Sequence, residues 1–239
     1  VACKSICLQS LHSLADNPSL LAAIALNTNH LARPFNRSSY GVPECIEAAT
    51  IDQLHSVYRK LFVPNNSIVV VSGDVEHQGV VCEIEKLISG WGSIEDKDVQ
   101  STPSKRGAHW VEQDSSQVHL SLAFDAPNAN EDSSILESVA MMIFGGSSSG
   151  RLFTQVRQRR SLCYSVSAQY ARSKHRSVVR VHAGTTPERA QETVEICLEQ
   201  LEELKNGISK EEFDRTILKM KARTVMHGES TTARASALW

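Results

Sequence analysis

Residues Gly145 to Val166 read GGSSSGRLFTQVRQRRSLCYSV, and the order in which the hydrophobic period changes along them sets the fold class. The glycine pair Gly145 and Gly146 ends the preceding apolar run, because glycine accepts the left-handed backbone with which helices commonly stop. A helix is expected from about Arg151 to Arg160, with Leu152, Phe153 and Val156 on one face and Arg157 one position past it. From Leu162 the period becomes two. Leu162, Tyr164, Val166, Ala168 and Tyr170 are expected to point one way, and Cys163, Ser165, Ser167 and Gln169 the other. Loop, helix and strand meet here, so Arg157 and Tyr164 are expected to face a common cleft.

Outward from this stretch the chain alternates helix and strand signals. Upstream, residues 4–15 read as a helix, and Asn17 with Pro18 starts another as N-cap and first helical residue. Thr50 and Gln53 have the spacing of a capping box, which predicts a helix to about Leu61, where Pro64 blocks continuation. Ile68–Val71 is a continuous β-branched run that suits a buried strand, and Gln78–Trp91 returns to helical spacing. Residues 92–108 are polar and predict a linker. Beyond it come an alternating strand at Val118–Phe124, a helix at Ile135–Phe144, and a strand at Ser177–Ala183 able to pair with 162–171. Thr186 and Pro187 open a long amphipathic helix that Gly207 stops, and Ser209 with Glu212 forms a second capping box for a helix to about Met226. This order predicts an α+β fold, a mostly antiparallel sheet with helices layered on one face. The expected domains are 1–91, a linker at 92–108, and 109–239.

The chain is 239 residues long with a formal net charge of −2, which argues against a wholly basic nucleic-acid binder. Charge is nevertheless uneven: from Arg151 to Pro187 there is no Asp or Glu, while eight Lys or Arg residues fall there. One face should be positive, yet no aromatic RNA-binding string accompanies it, so nucleic acid is not an expected partner. No apolar run reaches the ~18 residues of a membrane span. The six cysteines lie mostly in helix or strand patterns and include no C-x-x-C pair, which suggests packed thiols in a reducing compartment, the cytoplasm or an organelle matrix.

Helical zinc hydrolases need two histidines one turn apart with a glutamate beside them. The nine histidines here are scattered, with neither H-x-x-E-H nor H-E-x-x-H. His119 and His182 are expected to be cross-strand neighbours, but a pair of imidazoles makes a poor metal site without a third ligand. The glycine-serine loop lacks the Gly-Lys-Ser/Thr of a phosphate loop, and no G-x-S-x-G supports serine catalysis. Arg157 and Tyr164 are the sharper pair. A guanidinium fork and a phenol aimed into one cleft can hydrogen-bond a peptide carbonyl and stabilise an oxyanion; alternatively Arg157 only offsets a helix terminus and Tyr164 only fills the core.

RLFTQVRQRRSLCYSV resembles the signature of the C-terminal, so-called inactive domain of the insulinase-like zinc metallopeptidases, which include pitrilysin and the mitochondrial processing peptidase. The segment YGVPECIEAATIDQLHSVYRKLFVPNNSIVVVSGDV resembles the close of that family's first domain, and Phe144-Gly145-Gly146 its second-domain loop. The resemblance implies paired α+β domains, here a partial copy followed by a second, non-catalytic domain shortened at its end. It implies that zinc is held by a partner domain or subunit, with no cofactor on this chain. It implies that Arg157 and Tyr164 are offered towards peptide substrate. The expected function is a non-catalytic chamber half, inactive alone, that binds peptide and docks on the zinc-bearing domain. The alternative is a structural scaffold subunit related to the processing peptidase. With its sheet incomplete, the strand Ile68–Val71 is expected to take the place of a missing last strand of domain two, within the chain or by exchange in a homodimer.

Overall fold

The computed structural model describes residues 2–93 and 99–238. In chain order the helices are α1 (Ala2–Leu14), α2 (Pro18–His30), α3 (Pro43–Ala48), α4 (Ile51–Leu61) and α5 (His77–Ile88). After strand β1 (Val118–Asp125) come α6 (Ser133–Phe144), a π-helix at Phe153–Arg159, β2 (Cys163–Ala171) and β3 (Val178–Thr185). Helices α7 (Ala190–Glu203), α8 (Lys210–Glu229) and α9 (Thr231–Leu238) follow. The capping signals form as expected. Asn17 accepts from the Leu20 amide, Thr50 and Gln53 close a reciprocal box, and Ser209 and Glu212 do the same. Each such cap contributes about 1 kcal/mol of helix stability. Gly207 ends the α7 segment at φ 111°, a conformation that costs glycine nothing.

Contacts divide the chain into two units, 1–43 with 101–218, and 44–100 with 219–239. Each unit joins segments distant in sequence, whereas the division expected from composition is sequential. Within the expected linker, residues 94–98 lie outside the described residues.

The first unit is an α+β layer built on an antiparallel sheet of order β1-β3-β2. Val181 of the central strand is flanked by Leu122 on one side and Ala168 on the other, which sets one apolar face. Against that face pack Met141 and Phe144 of α6, Leu152 and Val156 at the π-helix, and Cys197 of α7. Phe144, Leu152 and Val156 have no accessible surface, and full burial of each contributes about 1.5–3 kcal/mol. On the other face lies α2. Its Ser19 meets His182 and its Asn27 accepts from Arg180, both on β3.

In the second unit α4 carries Ile51, Leu54, Val57, Tyr58 and Leu61, all exposed, with Tyr58 stacked on Phe62 at 4.6 Å. The strand expected at Ile68–Val71 does not form. Ile68, Val69 and Val71 are exposed, and no residue of the run has a ladder partner among the described residues. A β-branched run has the propensity for a strand, but the hydrogen bonds need a neighbour. The expected insertion of this run into the second sheet within the chain is therefore overturned.

Candidate functional site

Between Gly145 and Ser165 the backbone departs from regular structure in several successive ways. Gly145 caps α6 at φ −152° and ψ 9°, so the glycine pair does not stop the helix by a left-handed turn as expected. Its smallness matters for another reason. A Cβ on Gly145 would stand 2.6 Å from the Ala168 amide nitrogen and 2.8 Å from Leu152 Cδ1, while its carbonyl accepts from that same amide at 3.1 Å. On Gly146 a Cβ would meet Met142 Cα at 2.8 Å. Gly145 thus lies flat against β2, and Gly146 against the last turns of α6.

Next, the helix at Arg151–Arg160 runs as a π-helix over Phe153–Arg159 rather than an α-helix. Wider turns of this kind are rare and concentrate at functional positions. Ser161 follows at φ 51°, left-handed without being glycine, and its carbonyl accepts from Arg189 Nη1 at 2.5 Å. A bulge between Cys163 and Ser165 then adds Tyr164 as an extra residue. Cys163 stays buried opposite Thr185, whereas Tyr164 is 44% exposed. The expected alternation, which placed Tyr164 with Leu162, Val166 and Ala168, fails at this point because a bulge re-aims the side chain it inserts.

Tyr164 lies on the face of β3 that carries Gly184 and His182. Its hydroxyl donates to Gln117 Oε1 at 2.8 Å and lies 3.2 Å from His119 Nε2. His119 pairs with Gly184 and His182 with Ser121, so the two histidines are diagonal neighbours, with Nδ1 of the first 3.3 Å from Nε2 of the second. Ser19 Oγ lies 3.0 Å from that same Nε2. Burial holds both imidazoles below their ordinary 6.5, and His119 lowers His182 further. Burial raises the Tyr164 phenol. Gln117 carries no signal of its own in the sequence; the cross-strand histidines do.

Arg157 is exposed, its guanidinium 4.9 Å over the Phe153 ring, a cation–π contact that contributes about 0.5–1 kcal/mol. Its charge also favours the thiolate of Cys163, the residue before Tyr164, against a larger opposing effect of burial. Among the described residues no hydrogen bond or ring contact joins Arg157 to Tyr164, and no carboxylate pairs with Arg157. Arg159 and Arg160 fold back onto Gln155, whose Oε1 accepts from both, at 3.5 and 3.0 Å. Arg151 instead anchors the segment: its fork spans Glu212 at 2.8 and 3.0 Å and its Nη2 also donates to the Gly207 carbonyl. That fork and the Ser209 cap hold Glu212 down at about 2.

These residues do not fit zinc. A catalytic site needs three protein ligands, and no group of three His, Cys, Asp or Glu suited to a metal occurs among the described residues. All six cysteines are free. Cys163 and Cys197 are packed as expected, but Cys3, Cys7, Cys45 and Cys82 are exposed. No helix among the described residues is long and apolar enough to cross a membrane.

A family model described as the peptidase M16 inactive domain matches residues 48–220. An uncharacterized zinc protease of Streptomyces coelicolor is 25% identical over 90% of this chain and 48% of its own length. One of Bacillus subtilis is 25% identical over 82% and 48%. The chain thus spans about half the length of these curated relatives. A crystal structure of a peptidase M16 inactive domain from Pseudomonas fluorescens superposes with a TM-score of 0.85 at 23% identity, covering 92% of this chain and 55% of that one. A chain in a structure of complex III2 from Candida albicans superposes at 0.80 with 17% identity, covering 98% and 59%. At these identities the two structures show the fold.

Proposed function

Because the chain belongs to the peptidase M16 inactive-domain family, we propose that it is the non-catalytic half of a zinc metallopeptidase chamber, which binds peptide and docks against a domain or subunit that carries the metal. The observation that carries this reading is the run of irregular backbone from Phe153 to Tyr164: a π-helix, a left-handed serine and a bulge, ending on an exposed phenol. A left-handed residue other than glycine costs about 1–3 kcal/mol and persists where the surroundings hold it, and π-turns and bulges likewise gather at functional sites. The relatives named as zinc proteases support the setting.

In this role Arg157 offers guanidinium N–H groups free of any carboxylate, and Tyr164 a hydroxyl able to donate or accept. A peptide carbonyl takes the first, and the peptide backbone the second. Both groups stand ready without desolvating an existing ion pair, which would otherwise offset the gain. The test supplies a zinc-bearing partner and compares Arg157→Ala and Tyr164→Phe with the unmutated chain. Each is expected to lower kcat/KM by about tenfold or more; unchanged turnover in both removes them from the mechanism.

A second reading, a scaffold subunit without proteolytic role, draws on the likeness to a chain of the complex III2 structure. Variants at these two positions that spare peptide binding but weaken assembly would favour it.

A further inference from the structure

Three polar side chains continue from Tyr164 across the sheet to α2, and their hydrogen bonds cannot be set independently. The contacts run from Gln117 through Tyr164, His119 and His182 to Ser19, at 2.8, 3.2, 3.3 and 3.0 Å. The His119 and His182 rings stack at 5.5 Å, and the His119 ring meets Tyr164 edge-on. A neutral imidazole has one donor and one acceptor nitrogen, so each contact constrains the next.

Two arrangements satisfy the chain. In the forward one His182 donates from Nε2 to His119 Nδ1, His119 donates from Nε2 to Tyr164 Oη, and Tyr164 keeps a proton that can swing from Gln117 to an incoming carbonyl. In the reverse one the Ser19 hydroxyl and His119 Nδ1–H share the single lone pair of His182 Nε2 as a three-centre bond. Then His119 Nε2 accepts the Tyr164 proton, and Gln117 must turn its amide to donate. The phenol now has only a lone pair to offer. A single added proton gives His119 two N–H groups: Nδ1–H then donates to His182 Nε2, as in the reverse arrangement, while Nε2–H donates to Tyr164 Oη, so the phenol keeps its own proton as in the forward one. A second sets N–H against N–H across 3.3 Å and breaks the contact.

We propose that His119, His182 and Ser19 are positioning residues that determine whether the Tyr164 hydroxyl can donate to bound peptide; the proposal rests on the reading of Tyr164 as a peptide contact. Among the described residues no ion pair or hydrogen bond joins a charged group to these side chains. From α2 the relay is faced by Ser19, and the next cation on that face, Arg180 of β3, is engaged by Asn27 of α2 at 3.1 Å. Ser121 of β1 and Ser167 of β2 flank His182 in register. Beside Tyr164 the remaining titratable neighbour is the Cys163 thiol, buried on the opposite face of β2.

The test measures binding of a fluorescently labelled unfolded peptide by anisotropy, from about pH 7.5 down to about pH 5, a window extended below the ordinary histidine value because burial lowers both imidazoles. The Tyr164 share is the ratio of affinities of the unmutated chain and Tyr164→Phe. That share is expected to grow as the pair takes its first proton. His119→Gln, which puts an amide near Nε2, is expected to keep affinity within about threefold while losing the pH dependence. His119→Asn, which puts it near Nδ1, should lose about fivefold, the equivalent of one hydrogen bond. Ser19→Ala, a change a helix tolerates, removes the donor that favours the reverse arrangement. It should raise the share at pH 7.5 and flatten its pH dependence, so the proposal does not hang on a histidine variant that fails to fold. A normal pH profile in both His119→Gln and Ser19→Ala overturns the relay while leaving Tyr164 as a contact. Unchanged affinity in Tyr164→Phe overturns the peptide reading itself, and the relay's role with it.

Discussion

The phenol of Tyr164 occupies the space that a side chain on Gly184 would need: a Cβ there would stand 2.4 Å from both Cζ and Oη of Tyr164 and 2.8 Å from Ser165 Oγ. Glycine on the central strand is thus the floor on which the bulged tyrosine lies. Because the clash falls on the free end of an exposed side chain, Gly184→Ala should displace the ring rather than unfold the sheet, at a cost near the lower end of overpacking, about 1 kcal/mol. Peptide affinity should fall to that of Tyr164→Phe. Thermal melts together with peptide binding check both halves; normal binding in Gly184→Ala would detach the ring's position from function.

The Arg151–Glu212 fork gives an acid-sensitive link between the start of the π-helix segment and the head of α8. Glu212 has a depressed folded value, from an ordinary 4.5 down to about 2, caused first by the Arg151 hydrogen bonds. A carboxylate of that kind contributes stability present above its unfolded value and lost as pH falls towards its folded one. The melting temperature of Glu212→Gln should therefore lie below that of the unmutated chain at neutral pH, and the gap should close between about pH 4.5 and pH 2. Equal melting temperatures at neutral pH would show that the fork contributes nothing net.

Gly145 and Gly79 make opposite predictions for the same substitution. At Gly145 a Cβ meets a backbone nitrogen at 2.6 Å, which cannot swing aside, so Gly145→Ala should destabilise by about 2–3 kcal/mol. At Gly79, inside α5, nothing lies within 4 Å, and Gly79→Ala should stabilise by up to about 1 kcal/mol through helix propensity. Chemical denaturation of the two variants separates these signs.

What could be read without coordinates follows from the range of the interactions concerned. Caps are local, so Asn17, Thr50 and Ser209 were legible from their own neighbours, and period-two runs placed β1, β2 and β3 within a residue or two. The resemblance carried by RLFTQVRQRRSLCYSV agrees with the family match. Tyr164 was placed on the wrong face because a bulge adds one residue without changing the hydrophobic pattern before or after it. Ile68–Val71 had strand propensity but no partner, and pairing is not a local property. Gln117 and Ser19 join Tyr164 only through register and through α2 lying on the sheet, neither of which leaves a mark in spacing.

The cysteines divide by what surrounds the sulfur. Cys197 lies beneath the sheet in the apolar cluster that also holds Val181 and Leu152, and burial pushes its thiol up to about 12. Cys163 is also raised by burial, with the Arg157 charge acting weakly the other way. Only a thiolate attacks a disulfide reagent, so both should stay silent near pH 8 in the folded chain. Cys3, Cys7, Cys45 and Cys82 are exposed and should react. Titration with an aromatic disulfide should therefore show four fast thiols and, after denaturation, two more. Arg157→Ala removes the charge that favours the Cys163 thiolate, so it should slow Cys163 further and leave the fast phase unchanged. An acceleration of Cys163 in that variant would mean instead that Arg157 shields it as a lid, and that its guanidinium is not free to meet a peptide carbonyl.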